Sequence, residues 1–119
     1  MEPSPTANCP ILVLCRDLLF TSKITGTASA QKVAVRVIRD PAKLAGEAGS
    51  RRLIVDLTQE GYLAAAVVWK GQTGGHVTGF AGHTDVGLIT EARAKGVDLV
   101  LSRGEFSAQM AQVLAINPQ

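Results

Sequence analysis

The sequence predicts an α/β fold in which a five-stranded parallel sheet lies between two layers of helices. Three observations point there. Short apolar runs at residues 11–15, 33–38, 53–57, 77–81 and 98–102 recur along the 119-residue chain. Stretches with apolar residues at helical spacing separate them. The composition, 46% hydrophobic and 18% charged, supplies one core and leaves no room for a second. A chain this long buries roughly two thirds of its unfolded surface, so neither a metal nor a disulfide is needed to hold it.

Residues 1–8, MEPSPTAN, read as a disordered or extended tail, which leaves 9–119 as a single domain. Residues 11–15 form a continuous apolar run, the pattern of a strand buried on both faces. Residues 18–30 carry Leu19 or Phe20, Ile24, and Thr27 or Ala28 at helical spacing. Gly26 and several Ser/Thr residues give that helix little intrinsic propensity, so packing must hold it. In residues 33–38, Val33, Val35, Val37 and Ile38 interleave with Ala34 and Arg36, as at a sheet edge. Asp40 and Pro41 read as the N-cap and first residue of a short helix that ends by Gly49.

Residues 53–57, LIVDL, are a strand interrupted only by Asp56. Residues 60–70 place Leu63, Ala66, Val67 and Lys70 on a helix that Gly71, Gly74 and Gly75 terminate. Residues 77–81 are a short strand. Residues 85–95 are a helix with Leu88, Ile89 and Ala92 inward and Gly96 at its C-cap. A last strand, 98–102, leads into a helix over 105–116 built on Phe106, Met110, Val113 and Leu114. Alternating strands and helices imply right-handed crossovers. Five such units fit a flavodoxin-like (βα)5 three-layer sandwich with strand order 2-1-3-4-5. Sites in such folds lie beyond the carboxyl ends of the strands. That directs attention to Cys15, Arg16 and Asp17, to Asp56, to residues 81–83, and to Ser102 and Arg103.

Several function classes are disfavoured. Cys9 and Cys15 belong to no metal or disulfide motif and read as thiols in a reducing compartment. Twelve Lys and Arg against ten Asp and Glu leave a net charge of +2. A basic excess over residues 32–52 reads as a solvated face, and Trp69, Tyr62, Phe20, Phe80 and Phe106 are the only aromatics. Base-stacking platforms, and so a nucleic-acid partner, are not expected. No apolar run approaches the roughly 20 residues that span a bilayer, and the start lacks a signal-peptide pattern. A soluble, cytoplasmic protein is expected. The run GQTGGHVTGFAG lacks the residues of a phosphate loop or dinucleotide fingerprint. His76 and His83 have no ligand spacing and read as loop histidines. Cys15, with no base nearby, reads as a buried thiol.

The strand ends resemble, in register, the receiver domains of two-component response regulators over residues 9–116. RRLIVDLTQEG resembles the strand that ends in the phosphoacceptor aspartate, which puts Asp56 at that position. VTGFAGHTD resembles the strand that ends in Thr or Ser followed by Ala. AKGVDLVLSRGEF resembles the approach to the family's lysine and the phenylalanine after it. The resemblance implies phosphoryl transfer to the aspartate, aided by Mg²⁺ on an acidic pair after the first strand.

Within that resemblance, the departures imply a degenerate, pseudo-receiver member of the family. The acidic positions fall on Cys15 and Arg16, and neither a soft thiol nor a fixed cation serves a hard ion. Asp17, one position on, is left as a possible outer ligand. The hydroxyl switch position falls on Ala81, and the lysine on Arg103. We therefore expect Arg16 or Arg103 to pair with Asp56, with no metal and no cofactor. Asp56 also fits a plain structural reading, since strand-end aspartates satisfy loop amides.

The sequence reading is of a stand-alone signalling or protein-binding module with no enzyme activity. Its partner is another signalling protein or a second copy. By family analogy the contact surface is formed by the helix 85–95, the strand 98–102 and the last helix, including Arg93, Lys95 and Phe106. Trp69 is a further candidate interface anchor. Thr21, Ser22, Lys23 and Thr25 of the first helix read as solvated. The alternatives are a metal-independent phosphoacceptor of a phosphorelay and a small-ligand binder of flavodoxin-like type.

Overall fold

A computed structural model describes residues 10–47 and 49–115. The tail 1–8, Cys9 and the end of the expected last helix at Ile116 lie outside the described residues. Five parallel strands, β1 (Ile11–Leu14), β2 (Val35–Ile38), β3 (Arg52–Asp56), β4 (His76–Ala81) and β5 (Leu99–Ser102), form one sheet. Its order is β2-β1-β3-β4-β5. The helices are α1 (Leu18–Ala30), α2 (Tyr62–Thr73), α3 (Val86–Ala94), α4 (Arg103–Ala108) and α5 (Met110–Leu114), and a 3₁₀ helix spans Pro41–Gly46. The architecture is the flavodoxin-like sandwich expected from the sequence.

Alternation along the strands divides the interior in two. Leu12, Leu14, Leu53, Val55 and Val77 pack with Tyr62, Leu63, Ala66 and Trp69 of α2 and with Ala92 of α3. Ile11, Val13, Cys15, Ile54, Phe80 and Leu101 pack with α1, α4 and α5 through Phe20, Ile24, Phe106, Met110 and Val113. Every residue of β1 and β3 is buried, as expected where helices cover both faces of a parallel sheet. β2 is only partly buried, in keeping with its edge position.

Local chemistry moved several boundaries. β2 starts at Val35 and not at Val33, because Lys32 adopts φ 59° and the Val33 amide closes α1 onto the Ala28 carbonyl. Asp40 caps the next turn as expected, but Pro41 opens a 3₁₀ helix of six residues, too short to cover the sheet. Two aromatics of α2 fill that space. The Trp69 indole N–H donates to the Glu47 carbonyl at 2.9 Å, and the Tyr62 hydroxyl donates to the Arg39 carbonyl. Both are 1% exposed. Trp69 is therefore a core residue that holds the 3₁₀ segment and not a surface anchor.

α2 begins at Tyr62 because Gly61 sits at φ +83°, and it runs through Gly71 to close at Gly74, φ +71°. Left-handed backbone is cheap only for glycine. Lys95 is the C-cap of α3, with Gly96 one residue beyond at φ +99°. The last helix starts earlier than expected, because Ser102 and Glu105 form a reciprocal capping box. It is interrupted at Gln109, although Gln109 N–Glu105 O and Val113 N–Gln109 O bonds bridge the break. Among the described residues, no helix is long and apolar enough to cross a membrane.

Candidate functional site at the carboxyl ends of the strands

Asp56 closes β3 with a side chain that has no exposed surface. It lies opposite Phe80 of β4 and points, like Ile54, toward the layer of α1, α4 and α5. Its Oδ1 accepts from the Thr58 amide at 3.0 Å and the Thr58 hydroxyl at 2.6 Å. Its Oδ2 stands 3.5 Å from Nη2 of Arg103. The other terminal nitrogen of Arg103, Nη1, lies 3.6 Å from Oδ2 of Asp17. One guanidinium thus bridges the carboxylates that follow β1 and end β3.

Arg103 is placed by its own helix start. The Ser102 hydroxyl accepts from the Glu105 amide at 3.0 Å, and the Glu105 carboxylate accepts from the Ser102 amide at 2.8 Å. This fixes Arg103 as the first residue of α4. Beneath it, Phe20, Phe80 and Phe106 form an aromatic platform, with ring centroids 4.8 Å (Phe20–Phe80) and 4.9 Å (Phe80–Phe106) apart. The guanidinium carbon lies 5.0 Å from the Phe20 centroid and 5.4 Å from that of Phe80, within cation–π range. Phe106 is fully buried in this platform, so it is a support for the site and not a contact residue of an exposed face. The three rings are far apart in sequence, and no local pattern announces the platform.

The remaining strand-end residues divide clearly. Cys15 is fully buried, its Sγ turned to the Asp17 carbonyl. Burial pushes its thiol above the ordinary value of 9.0, which keeps it protonated and a poor ligand. Arg16 is exposed and makes no ion pair among the described residues, so of the two arginines only Arg103 meets Asp56. Alternation explains this. Cys15 faces the α1 side with Phe20 and Phe80, which turns the next residue toward Tyr62, whose ionisation its charge affects. Asp17 is the N-cap of α1, its Oδ1 accepting from Phe20 N at 3.1 Å. Ala81 is buried and carries no hydroxyl at the end of β4. Arg93 on α3 and Lys95 at its C-cap are exposed, Lys95 pairing with Glu91 at 2.9 Å. Thr21 is buried, its hydroxyl donating to the Leu18 carbonyl, and is no part of a solvated face. His83 is exposed, whereas His76 is the first residue of β4 and not a loop residue.

A hard divalent cation of the kind receivers use needs about six oxygen ligands in octahedral array. Here both carboxylates have one oxygen turned to Arg103 and the other bound to backbone or hydroxyl donors. Among the described residues, no group of three or more His, Cys, Asp or Glu could hold a metal ion. The donor set does not fit Mg²⁺. A separate groove of about 320 Å³ opens between the loop after β3, α2 and α3, lined in part by Leu57, Thr58, Leu63 and Leu88. Thr58, which binds Asp56, stands on its wall.

No family model and no curated protein sequence matches this chain. Solved structures do. The receiver domain of NtrX from Brucella abortus superposes with TM-score 0.73 at 19% identity, over 87% of this chain and 96% of that one. The fold is the receiver fold. A response regulator receiver domain from Clostridium thermocellum gives TM-score 0.74 at 15% identity, over 89% and 90% of the two chains. The BeF3-activated receiver domain of DrrB gives 0.76 at 14%, over 89% and 93%. This receiver fold therefore carries, at the ends of its strands, an arginine bridge between two aspartates.

Proposed function

We propose that this domain is a receiver-type signalling module that does not take up a phosphoryl group by the Mg²⁺-dependent route and works by binding another protein or a second copy of itself. The observation that carries the reading is the position of Arg103, with one terminal nitrogen on Asp56 and the other on Asp17. A fixed cation there offsets the carboxylate charge that a metal would otherwise balance, and it ties the ends of β1, β3 and β5 in one arrangement. Ala81 adds no hydroxyl to read a phosphoryl group. Leu18 and Leu19 at the start of α1, 64% and 82% exposed, offer apolar contact surface beside the same strand ends. Arg93 on α3 and Lys95 at its C-cap are exposed as well.

The test is a small phosphodonor, acetyl phosphate, followed by intact-mass spectrometry with and without Mg²⁺, alongside amide spectra recorded during addition of Mg²⁺ and beryllofluoride. We expect no adduct and no coordinated spectral change, in contrast to a neighbour such as DrrB, whose receiver domain is BeF3-activated. An adduct that requires Mg²⁺ overturns the reading. The second reading, a metal-independent phosphoacceptor, is favoured by the cation standing beside Oδ2 of Asp56, and an Asp56 adduct formed without Mg²⁺ would establish it.

A further inference from the structure

Three buried polar atoms find no hydrogen-bond partner among the described residues: Nε of Arg52, Nδ1 of His76 and Oγ1 of Thr78. They are neighbours. Arg52 pairs across the sheet with His76, and Thr78, two residues further along β4, pairs with Ile54. Side chains alternate along a strand, so Arg52 shares a face with Ile54, and His76 and Thr78 share one with Phe80. It is the same face, the one covered by α1, α4 and α5.

α5 closes over this place. Nη2 and Nη1 of Arg52 donate to the carbonyls of Val113 and Leu114 at 2.7 and 3.2 Å, so the guanidinium caps the negative end of the helix. Arg52 is 6% exposed and Thr78 not at all. No carboxylate among the described residues pairs with Arg52. The one carboxylate whose charge reaches His76 is Asp98, and it already accepts from Lys70 Nζ and the Val77 amide, both at 2.8 Å. Lys70 and Asp98, 30% and 32% exposed, balance each other, so the buried Arg52 charge is met only by the α5 carbonyls, where burial makes uncompensated charge unfavourable.

We propose that Arg52, His76 and Thr78 form a buried site for one monatomic, monovalent anion of chloride size. The Arg52 Nε–H and the Thr78 O–H are donors, and His76 supplies a third from Nδ1 when that nitrogen carries its proton. Donors gathered around one excess positive charge suit a halide and repel a cation. A water molecule would satisfy the same atoms and leave the charge uncompensated.

The experiment is thermal unfolding of the full chain at constant ionic strength, with chloride exchanged for gluconate, together with a bromide-soaked crystal read by anomalous scattering. We expect the unfolding midpoint to rise saturably with chloride and a bromide peak to lie against Nε of Arg52. Thr78→Val preserves shape and removes one donor. It should raise the half-saturating chloride concentration by about tenfold, the scale of one hydrogen bond to a charged group. Equal midpoints in both salts, or water density with no bromide signal, overturn the proposal. So does a Thr78→Val variant whose midpoint rises equally in both salts, which is the behaviour of a hydroxyl that is merely unpaired.

Discussion

The Arg103 guanidinium stands 3.5 Å from an Asp56 carboxylate that has no exposed surface. Arg103 itself is 37% exposed, so solvent screens its side of the pair and the interaction is weaker than that of two fully buried charges. Its position still matters, because Asp56 has no other cation on it among the described residues.

Replacing Arg103 by Met should destabilise the domain by about 1–3 kcal/mol, the range for losing a hydrogen bond to a buried charged group. Arg103→Lys should lose less, since a point charge remains but cannot reach Asp17 and Asp56 with separate nitrogens. A double-mutant cycle with Asp56→Asn, read by urea unfolding, should give a coupling of about 0.5–3 kcal/mol. Additive losses would show that the two side chains do not act together.

Trp69 is the single tryptophan of the chain and sits at 1% exposure with its indole N–H on the Glu47 carbonyl. Native fluorescence should be blue-shifted and should move to the red on unfolding. Trp69→Phe leaves that carbonyl without its donor and opens space beside the 3₁₀ helix. A loss of about 1–3 kcal/mol is expected, and a neutral substitution would contradict the buried placement.

Gly75 permits close approach rather than unusual backbone. A Cβ built there would meet Cζ3 of Trp69 at 2.7 Å and the Arg51 carbonyl at 2.9 Å. Gly75→Ala should cost about 1–3 kcal/mol, as overpacking does. Gly71→Ala, with nothing within 4 Å in a helix, should stabilise by roughly 0.5–1 kcal/mol. Chemical denaturation of the two variants side by side measures the contrast.

Stability should depend on pH through His76 and Cys15, among other groups. Burial, helped by the charges of Arg52 and Lys70 and opposed by Asp98, holds His76 below its ordinary value of 6.5. The unfolded chain then binds the proton first as pH falls. The contribution of the neutral ring is whole above pH 6.5 and declines below it, toward the folded pKa. Burial raises Cys15 above 9.0, so its contribution is whole below pH 9.0 and declines as pH rises past it. Urea midpoints across pH should fall at both ends. His76→Gln should flatten the acid limb, and Cys15→Ala the alkaline one.

Much of this was readable before any coordinates. Apolar runs punctuated by Gly, Pro and Asp are enough for the order of elements, because a strand buried on both faces and a helix buried on one leave different residue periods. That an arginine could meet Asp56 was also readable, since it depends only on which residue types follow which strands. The choice between Arg16 and Arg103 was not. It rests on the face to which each side chain turns, and that is set by pairing across the sheet, Asp56 opposite Phe80 and Ala81 opposite Ser102.

Trp69 and Phe106 show the same limit from the other side. Their size and helical positions suit a surface anchor as well as a core. Only the short 3₁₀ helix beside Trp69 and the rings of Phe20 and Phe80 around Phe106 place them inside. The sequence by itself determined the architecture and the charge types at the strand ends, because periodicity and residue chemistry are local properties. The tertiary structure alone decided which charges meet and which aromatics are buried, because those contacts join residues from separate elements and no local pattern encodes them.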